Sequence, residues 1–106
     1  RQVYVSGTTA TARDGSVVGV GSAYEQTVYI IRLIEQALHS AGAVLEDVVR
    51  TRIYIIDLQD WEAVARAHGE HFALIRPANT LIQVSGLVGP DYLVEMEADA
   101  VIGDEG

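Results

Sequence analysis

Cysteine and lysine are both absent from this sequence of 106 residues. The absence of cysteine excludes disulfides, thiolate nucleophiles and cysteine-ligated metals, and it leaves nothing that points to an oxidising compartment. The absence of lysine excludes a side-chain Schiff base with a carbonyl substrate. The seven lysine-or-arginine positions are therefore all arginine, whose guanidinium group binds carboxylate or phosphate but is too basic to act as an ordinary proton shuttle. Covalent catalysis would fall to serine or threonine, and the sequence has no nucleophile elbow.

Long apolar runs and basic clusters are also missing. No uninterrupted apolar stretch approaches the ~18 residues of a transmembrane helix, and the numbered chain has no basic segment followed by an apolar leader. We therefore expect a cytoplasmic protein without a membrane partner. The formal net charge of −8 argues against a nucleic-acid partner, because such surfaces normally carry a clustered basic patch. The apolar content of 49% is high for so short a chain, so we expect part of this surface to contact another subunit.

The spacing of apolar residues predicts an α+β fold in which a small mixed sheet has two helices packed on one face. Gly42 is suited to end the first helix, because glycine accepts the left-handed conformation found at helix ends. Pro77 prevents the second helix from continuing. The chain is expected to form one domain over residues 1–106, with room for a short strand after the first. The predicted strands cover residues 2–8, 48–56, 79–85 and 93–102, and the predicted helices cover residues 22–40 and 57–72.

Two of these strands have faces of different character. Val49, Thr51, Ile53 and Ile55 suit a helix-covered face, whereas Arg50, Arg52 and Tyr54 alternate with them on the other. In the last strand Glu95, Glu97 and Asp99 share one face, where like charges repel unless they are solvated or paired. The two strand arginines are natural partners, within the sheet or across a subunit boundary, and an ordinary solvated face is the alternative. On the second helix we expect one face to contain Trp61, Val64, Ala65 and His68.

The two histidines of the second predicted helix raise the question of a metal site. His68 and His71 are three residues apart, which is close enough to share a metal but differs from the His-Glu-x-x-His spacing of zinc proteases. A convincing third ligand is missing, so we expect one ring to pack at the edge of the helix face and the other to be exposed. We expect neither a metal nor a cofactor.

Three parts of the sequence, in this order, resemble the RidA/YjgF family of small enamine/imine deaminases. They are residues 3–8 (VYVSGT), residues 41–51 (AGAVLEDVVRT), and residues 76–84 (RPANTLIQV) followed by residues 93–100 (LVEMEADA). The resemblance covers nearly the whole chain and implies a RidA-like, chorismate-mutase-like fold. It also implies a homotrimer whose sheets face inward, with small-molecule sites in the clefts between subunits. Family members usually have a further strand before the position of residue 1.

The resemblance also implies a set of site residues. It assigns Glu95 as the catalytic residue that positions the hydrolytic water, and it assigns substrate binding to Ser6, Gly7, Asn79, Thr80 and Leu81. Without it, Asn79 would be read as a strand-start residue that bonds local backbone, and Glu95 as one member of the acidic sheet face.

The sequence departs from the deaminase pattern at two positions. Asn79 stands where deaminating members have an arginine that grips the substrate carboxylate, and Gly86 stands where many have a second arginine. Enamine or imine hydrolysis needs a carboxylate anchor, protonation to the iminium and an ordered water. An amide donates hydrogen bonds but supplies no charge. The ligand is therefore expected to be uncharged, or a cation is expected from elsewhere, such as Arg66 or Arg76.

Two classes of function follow from these observations. The first is a RidA-like hydrolase that deaminates a reactive enamine or imine, or acts on a related small metabolite. The alternative is a noncatalytic homotrimer that binds a metabolite in the same cleft. A guanidinium group beside Asn79 would favour the enzyme. Endoribonuclease activity, after which some relatives are named, is disfavoured by the acidic charge.

Overall fold

The computed structural model describes residues 1–103, which form a four-stranded mixed sheet and two α-helices. The elements are β1 (Gln2–Thr8), α1 (Ala23–Ser40), β2 (Val48–Ile55), α2 (Trp61–Phe72), β3 (Ala78–Gln83) and β4 (Val94–Val101). The predicted α+β class is confirmed, and the two C-terminal strands are each slightly shorter than predicted. The prediction of one domain over residues 1–106 includes three residues outside this description, and it stays a prediction.

The strand order is β1-β4-β2-β3. β4 pairs antiparallel with both β1 and β2, whereas β2 and β3 are parallel. Parallel pairing requires a crossover, and α2 supplies it between β2 and β3. Where the sequence left room for a short strand, the structure has an isolated bridge between Thr11 and Val17.

Helix α1 begins and ends where the sequence predicts. The Ser22 side chain accepts a hydrogen bond from the backbone N–H of Glu25 at 3.1 Å, which caps the N-terminus. Gly42 has φ of +84° just after the C-terminus. The buried face of α1 also includes a polar residue that the apolar pattern did not reveal. The side chain of Gln26 donates to the carbonyls of Gly19 and Asp91 and accepts from the N–H of Leu93.

The predicted buried face of α2 is wrong at two positions. Val64, Ala67 and Phe72 are buried, whereas Trp61 is half exposed and Ala65 is exposed. A 3-10 turn at Leu58–Asp60 comes first, so Trp61 lies in the first turn of the α-helix. Ala65 falls at the border of the face because successive residues turn by about 100°.

The predicted alternation of β2 is correct from Thr51 to Ile55 and wrong at Val49. The register against β4 shifts between Val48 and Arg50. An irregularity of this kind changes which residue faces the core. As a result Val48 is buried and Val49 is 47% exposed.

The hydrophobic core lies between the two helices and one face of the sheet. Ile53 and Ile55 of β2 and Met96 of β4 are buried there against Ile34 of α1 and Val64 of α2. The opposite face is called the open face below, because both helices pack on the other side. It carries Tyr4 of β1, Arg52 and Tyr54 of β2, Thr80 and Ile82 of β3, and Glu95, Glu97 and Asp99 of β4. Neither described helix is long and apolar enough to cross a membrane.

Candidate functional site

Three charged residues of the open face, Arg52, Glu97 and Asp99, form ion pairs within one subunit. Arg52 lies 3.6 Å from a carboxylate oxygen of Glu97 and 3.1 Å from one of Asp99. Its hydrogen bond to Asp99 raises the pKa of the Arg52 guanidinium. Tyr54 donates to Glu97 at 3.1 Å, and partial burial, followed by this bond, raises the pKa of the Tyr54 hydroxyl. The predicted pairing with the acidic strand is therefore confirmed for Arg52 inside one subunit, whereas Arg50 has no such ion pair among residues 1–103.

Glu95 differs from the other two carboxylates of this face. Within residues 1–103 its side chain has no salt bridge and no hydrogen bond. It packs against Gly7 so closely that a Cβ placed on Gly7 would lie 2.0 Å from Oε2 of Glu95. The pairing of β1 with β4 shifts register between Val5 and Thr8, beside this contact. Gly7 therefore leaves room for a carboxylate that has no ion-pair or hydrogen-bond partner among the described residues.

Asn79 lies apart from this pair. It is opposite Thr51 in the parallel β2–β3 register, and its side-chain oxygen accepts a hydrogen bond from the Thr51 hydroxyl at 2.9 Å. The same hydroxyl lies 2.9 Å from Nε2 of His68 on α2. Asn79 is thus on the helix-covered side of the sheet, and Glu95 is on the open face. Reading Asn79 as bonding local backbone is wrong, because its partner is a side chain of the neighbouring strand.

The other predicted binding residues lie in different settings. Ser6 is exposed on β1 beside Gly7, and its carbonyl accepts from the Thr8 hydroxyl at 2.9 Å. Thr80 is exposed on the open face opposite Arg52. Leu81 lies opposite Ile53 and packs partly against the core, so it is the least available of the five to a ligand.

Arg66 and Arg76 are the two arginines that the sequence offers in place of the missing anchor. Arg66 stacks over the ring of Tyr24 with its guanidinium carbon 4.7 Å from the centroid, so it is engaged between α1 and α2. Arg76 precedes Pro77 and has φ of +58°, which is uncommon for a residue with a side chain. Of these two arginines, Arg76 is the nearer to Asn79 along the chain, three residues before it.

A concave pocket of about 380 Å³ lies where β2 ends and β4 begins. Ile56, Leu93 and Gly86 line it, together with other residues of the loop between β3 and β4. Leu93 immediately precedes β4 and packs partly against the core, so the pocket lies next to the N-terminal end of the strand that carries Glu95. No atom lies within 4 Å of the position where Gly86 would carry a Cβ. The volume suits a small metabolite.

The histidines of α2 each contact protein groups. His68 stacks on Phe72 with ring centroids 4.5 Å apart, and burial, followed by the proximity of His71, lowers the pKa of His68. Nδ1 of His71 lies 2.7 Å from the carbonyl oxygen of Ala67. In the part of the chain that the structure describes, no group of three or more potential ligands is placed to hold a metal ion.

The partnership of Thr51 with Asn79 and His68 was missed by the sequence analysis. Thr51 is a polar residue on an otherwise apolar strand face, and it is 0% exposed. Buried hydroxyls almost always have hydrogen-bond partners. That requirement was the available signal, although it could not identify the partners.

Comparison with known proteins identifies relatives of this chain. The family model described as Endoribonuclease L-PSP matches residues 1–102. The chain is 39% identical over 98 residues to the 3-aminoacrylate deaminase RutC of Acinetobacter baylyi, a match that covers 92% of this chain and 77% of RutC. It is 38% identical over 102 residues to the uncharacterized protein SCO2049 of Streptomyces coelicolor, covering 96% and 75% of the two chains.

A solved structure adds evidence from the fold. The crystal structure of Rv2704 from Mycobacterium tuberculosis, described as a member of the YjgF/YER057c/UK114 family, superposes with a TM-score of 0.85 at 42% identity. The match covers 95% of this chain and 79% of Rv2704. Sequence and fold therefore agree, and the chain belongs to the YjgF/RidA family.

Proposed function

We propose that the protein is a RidA-like hydrolase that deaminates a reactive enamine or imine, or acts on a related small metabolite, in a cleft between the subunits of a homotrimer. The observation that carries the proposal is the unpaired Glu95 carboxylate packed on Gly7. It occurs in a chain that is 39% identical to a protein named as a 3-aminoacrylate deaminase. The protein is also proposed to be cytoplasmic, because nothing in its composition calls for an oxidising compartment.

Glu95 has the properties of a group that positions water. Because its carboxylate has no cationic partner among the described residues, it is available to accept a proton from a water molecule. Protonation of an enamine at carbon gives an iminium ion, and the water oxygen then bonds to the iminium carbon as its proton passes to Glu95. The resulting carbinolamine breaks its C–N bond and releases ammonia, and its hydroxyl proton passes to water as the carbonyl forms, which balances the proton first taken from water at the enamine carbon. Glu95 returns the proton in this second step.

The positions of Asn79 and Glu95 support a site shared between subunits. In one chain the two side chains lie on opposite sides of the sheet, so a site that uses both must take them from different chains. The open face also exposes apolar surface, with Tyr4 69% exposed and Ile82 46% exposed. Burial of such surface between subunits would stabilise an assembly by about 25 cal/mol for each Å² removed from water.

A noncatalytic metabolite-binding trimer is the second candidate. It is favoured by Asn79, whose amide supplies no charge where the deaminases use arginine. Losing a charged hydrogen bond weakens carboxylate binding by about 1.5–3 kcal/mol. An endoribonuclease has less support, because the net charge is −8 and the open face carries three carboxylates that would repel phosphate.

The two candidates differ in whether imines disappear faster when the protein is present. An amino-acid oxidase generates 2-imino acids in situ from a panel of amino acids, and the imine signal is followed with and without the protein. Faster loss of at least one imine is expected. Equal rates for every imine, with heat-denatured protein as the control, would contradict the enzyme and leave the binding protein. Light scattering on the same sample should give the mass of a trimer, and a monomer at micromolar concentration would contradict the shared site.

A further inference from the structure

The hydroxyl of Thr51 lies between two polar groups and is 0% exposed. It is 2.9 Å from Oδ1 of Asn79 on one side and 2.9 Å from Nε2 of His68 on the other. A hydroxyl carries one hydrogen, so it can donate only one of these two bonds. The direction of the whole chain of hydrogen bonds follows from which partner receives that hydrogen.

The orientation of the Asn79 amide decides the direction. Its oxygen faces Thr51, and an amide oxygen only accepts, so the Thr51 hydrogen must point to Asn79. The Thr51 oxygen can then only accept from His68, which requires a hydrogen on Nε2 of that ring. Asn79 is left with its NH2 group directed away from Thr51. Among residues 1–103 this group has no acceptor, and Asn79 is exposed at the edge strand of the sheet.

The surroundings of His68 keep this arrangement in place. The ring stacks on Phe72, which restricts its rotation, and burial favours its neutral form. A neutral imidazole carries one hydrogen, so its tautomer is decisive. The opposite tautomer would present a bare Nε2 to Thr51 and draw the hydroxyl hydrogen toward His68. The Asn79 amide would then turn and present its oxygen outward.

We propose that His68 and Thr51 fix Asn79 as an outward-facing double donor, and that the site therefore selects ligands that offer a neutral acceptor oxygen, as in a carbonyl or amide, over ligands anchored by a carboxylate. This inference rests on the proposed function in one respect, namely that Asn79 occupies the position of the ligand anchor. The two N–H groups of Asn79 can donate hydrogen bonds to a neutral ligand oxygen, and such an oxygen needs no cation beside it. A carboxylate would lose its hydration and gain no cation, which is costly.

The direction of the hydrogen bonds can be tested in the free protein without any substrate. Long-range ¹H–¹⁵N correlation spectra report which ring nitrogen of His68 carries hydrogen, with His68→Phe used to assign the signals. The Nε2–H tautomer is expected to dominate at neutral pH. It should lose its dominance in Thr51→Val and keep it in Thr51→Ser, which retains the hydroxyl. A dominant Nδ1–H tautomer in the wild-type protein would overturn the proposal.

The ligand preference is tested with a matched pair of probes, pyruvamide and pyruvate, which differ in the group that replaces the carboxylate. Chemical shifts of the Asn79 side-chain NH2 are followed during each titration. Pyruvamide is expected to bind at least about 10-fold more tightly, a difference of about 1.4 kcal/mol. Thr51→Val should reduce the preference for pyruvamide over pyruvate, whereas Thr51→Ser, which keeps the hydroxyl, should retain it.

The possible outcomes separate this inference from the proposed function. Equal binding, tighter pyruvate binding or no shift of the Asn79 amide with either probe would refute the ligand preference. If 2-imino acids are nevertheless hydrolysed, the proposed function stands and only the selection by Asn79 fails. If pyruvamide binds at Asn79 and no imine is hydrolysed, the preference stands and the enzyme fails.

Discussion

Gly7→Ala tests the contact on which the catalytic assignment depends. The added methyl group would lie 2.0 Å from Oε2 of Glu95, whereas ordinary contact begins at 3.4 Å, so the carboxylate must move by roughly 1.4 Å. Displacement of a catalytic group by about 1 Å can cost about 10²-fold in rate. We therefore expect imine hydrolysis to fall about 10²-fold.

Stability should respond much less than activity to Gly7→Ala. The atom that clashes belongs to the end of a flexible side chain, so Glu95 can turn away without moving the backbone. An alanine also restricts the unfolded chain, which offsets strain by about 0.4–1 kcal/mol. Thermal unfolding should therefore show a change within about 1 kcal/mol. Gly69→Ala on α2 is the matched control for imine hydrolysis, because nothing lies within 4 Å of its added methyl group and it lines neither the pocket nor the contact with Glu95.

A double-mutant cycle separates the clash from other effects of the methyl group. In a Glu95→Ala background the obstructing carboxylate is absent, so adding Gly7→Ala should cause no further loss of activity. Full turnover in the single variant Gly7→Ala would refute the reasoning. The reasoning would also be refuted if Gly7→Ala lowered the free energy of unfolding equally in the wild-type and Glu95→Ala backgrounds.

Two further predictions concern the anchor and the core. Asn79→Arg should raise turnover of 2-imino acids, since it supplies a bidentate cation; Leu74→Arg, at a position 98% exposed, is the control for added charge. No gain with an intact trimer would end the analogy with the deaminases. Gln26→Leu should lower the free energy of unfolding by about 3–4.5 kcal/mol, because three partly buried backbone groups lose their partner and each costs about 1–1.5 kcal/mol, the low end of the cost of an unsatisfied buried group. Gln36→Leu on the exposed side of α1 should change it little in the same denaturation experiment.

Much of the fold could be predicted because its elements have strong local signals. Ser22 and Gly42 cap α1, and the alternation in β4 separates Met96 from Glu95 and Glu97. The signals fail where a position depends on distant partners. The bulge beside Val49 arises from pairing with β4, and Gln26 is buried because it reaches a loop 65 residues away.

The candidate site was predictable only in part. The resemblance identified Glu95 and Gly7, and the structure brings these two together. The sequence marks Asn79 as a departure from the deaminase pattern, yet its bond to Thr51 follows from strand register. Register is set by the pairing of whole strands, so no local pattern around Asn79 could reveal this partner. The catalytic role of Glu95 stays a prediction, as does the assignment of substrate binding to Ser6, Gly7, Asn79, Thr80 and Leu81.

The most direct test of the account is Glu95→Gln, measured for turnover and for trimer mass in the same sample. The amide keeps the shape of the side chain and removes the charge that orders water. Turnover is expected to fall about 10²–10⁴-fold, the usual range for a positioned acid or base, while the trimer stays intact. Glu62→Gln, at an exposed position of α2, should leave both quantities unchanged. A trimer that dissociates, with unchanged turnover per folded site, would contradict the catalytic assignment and make Glu95 a residue of assembly.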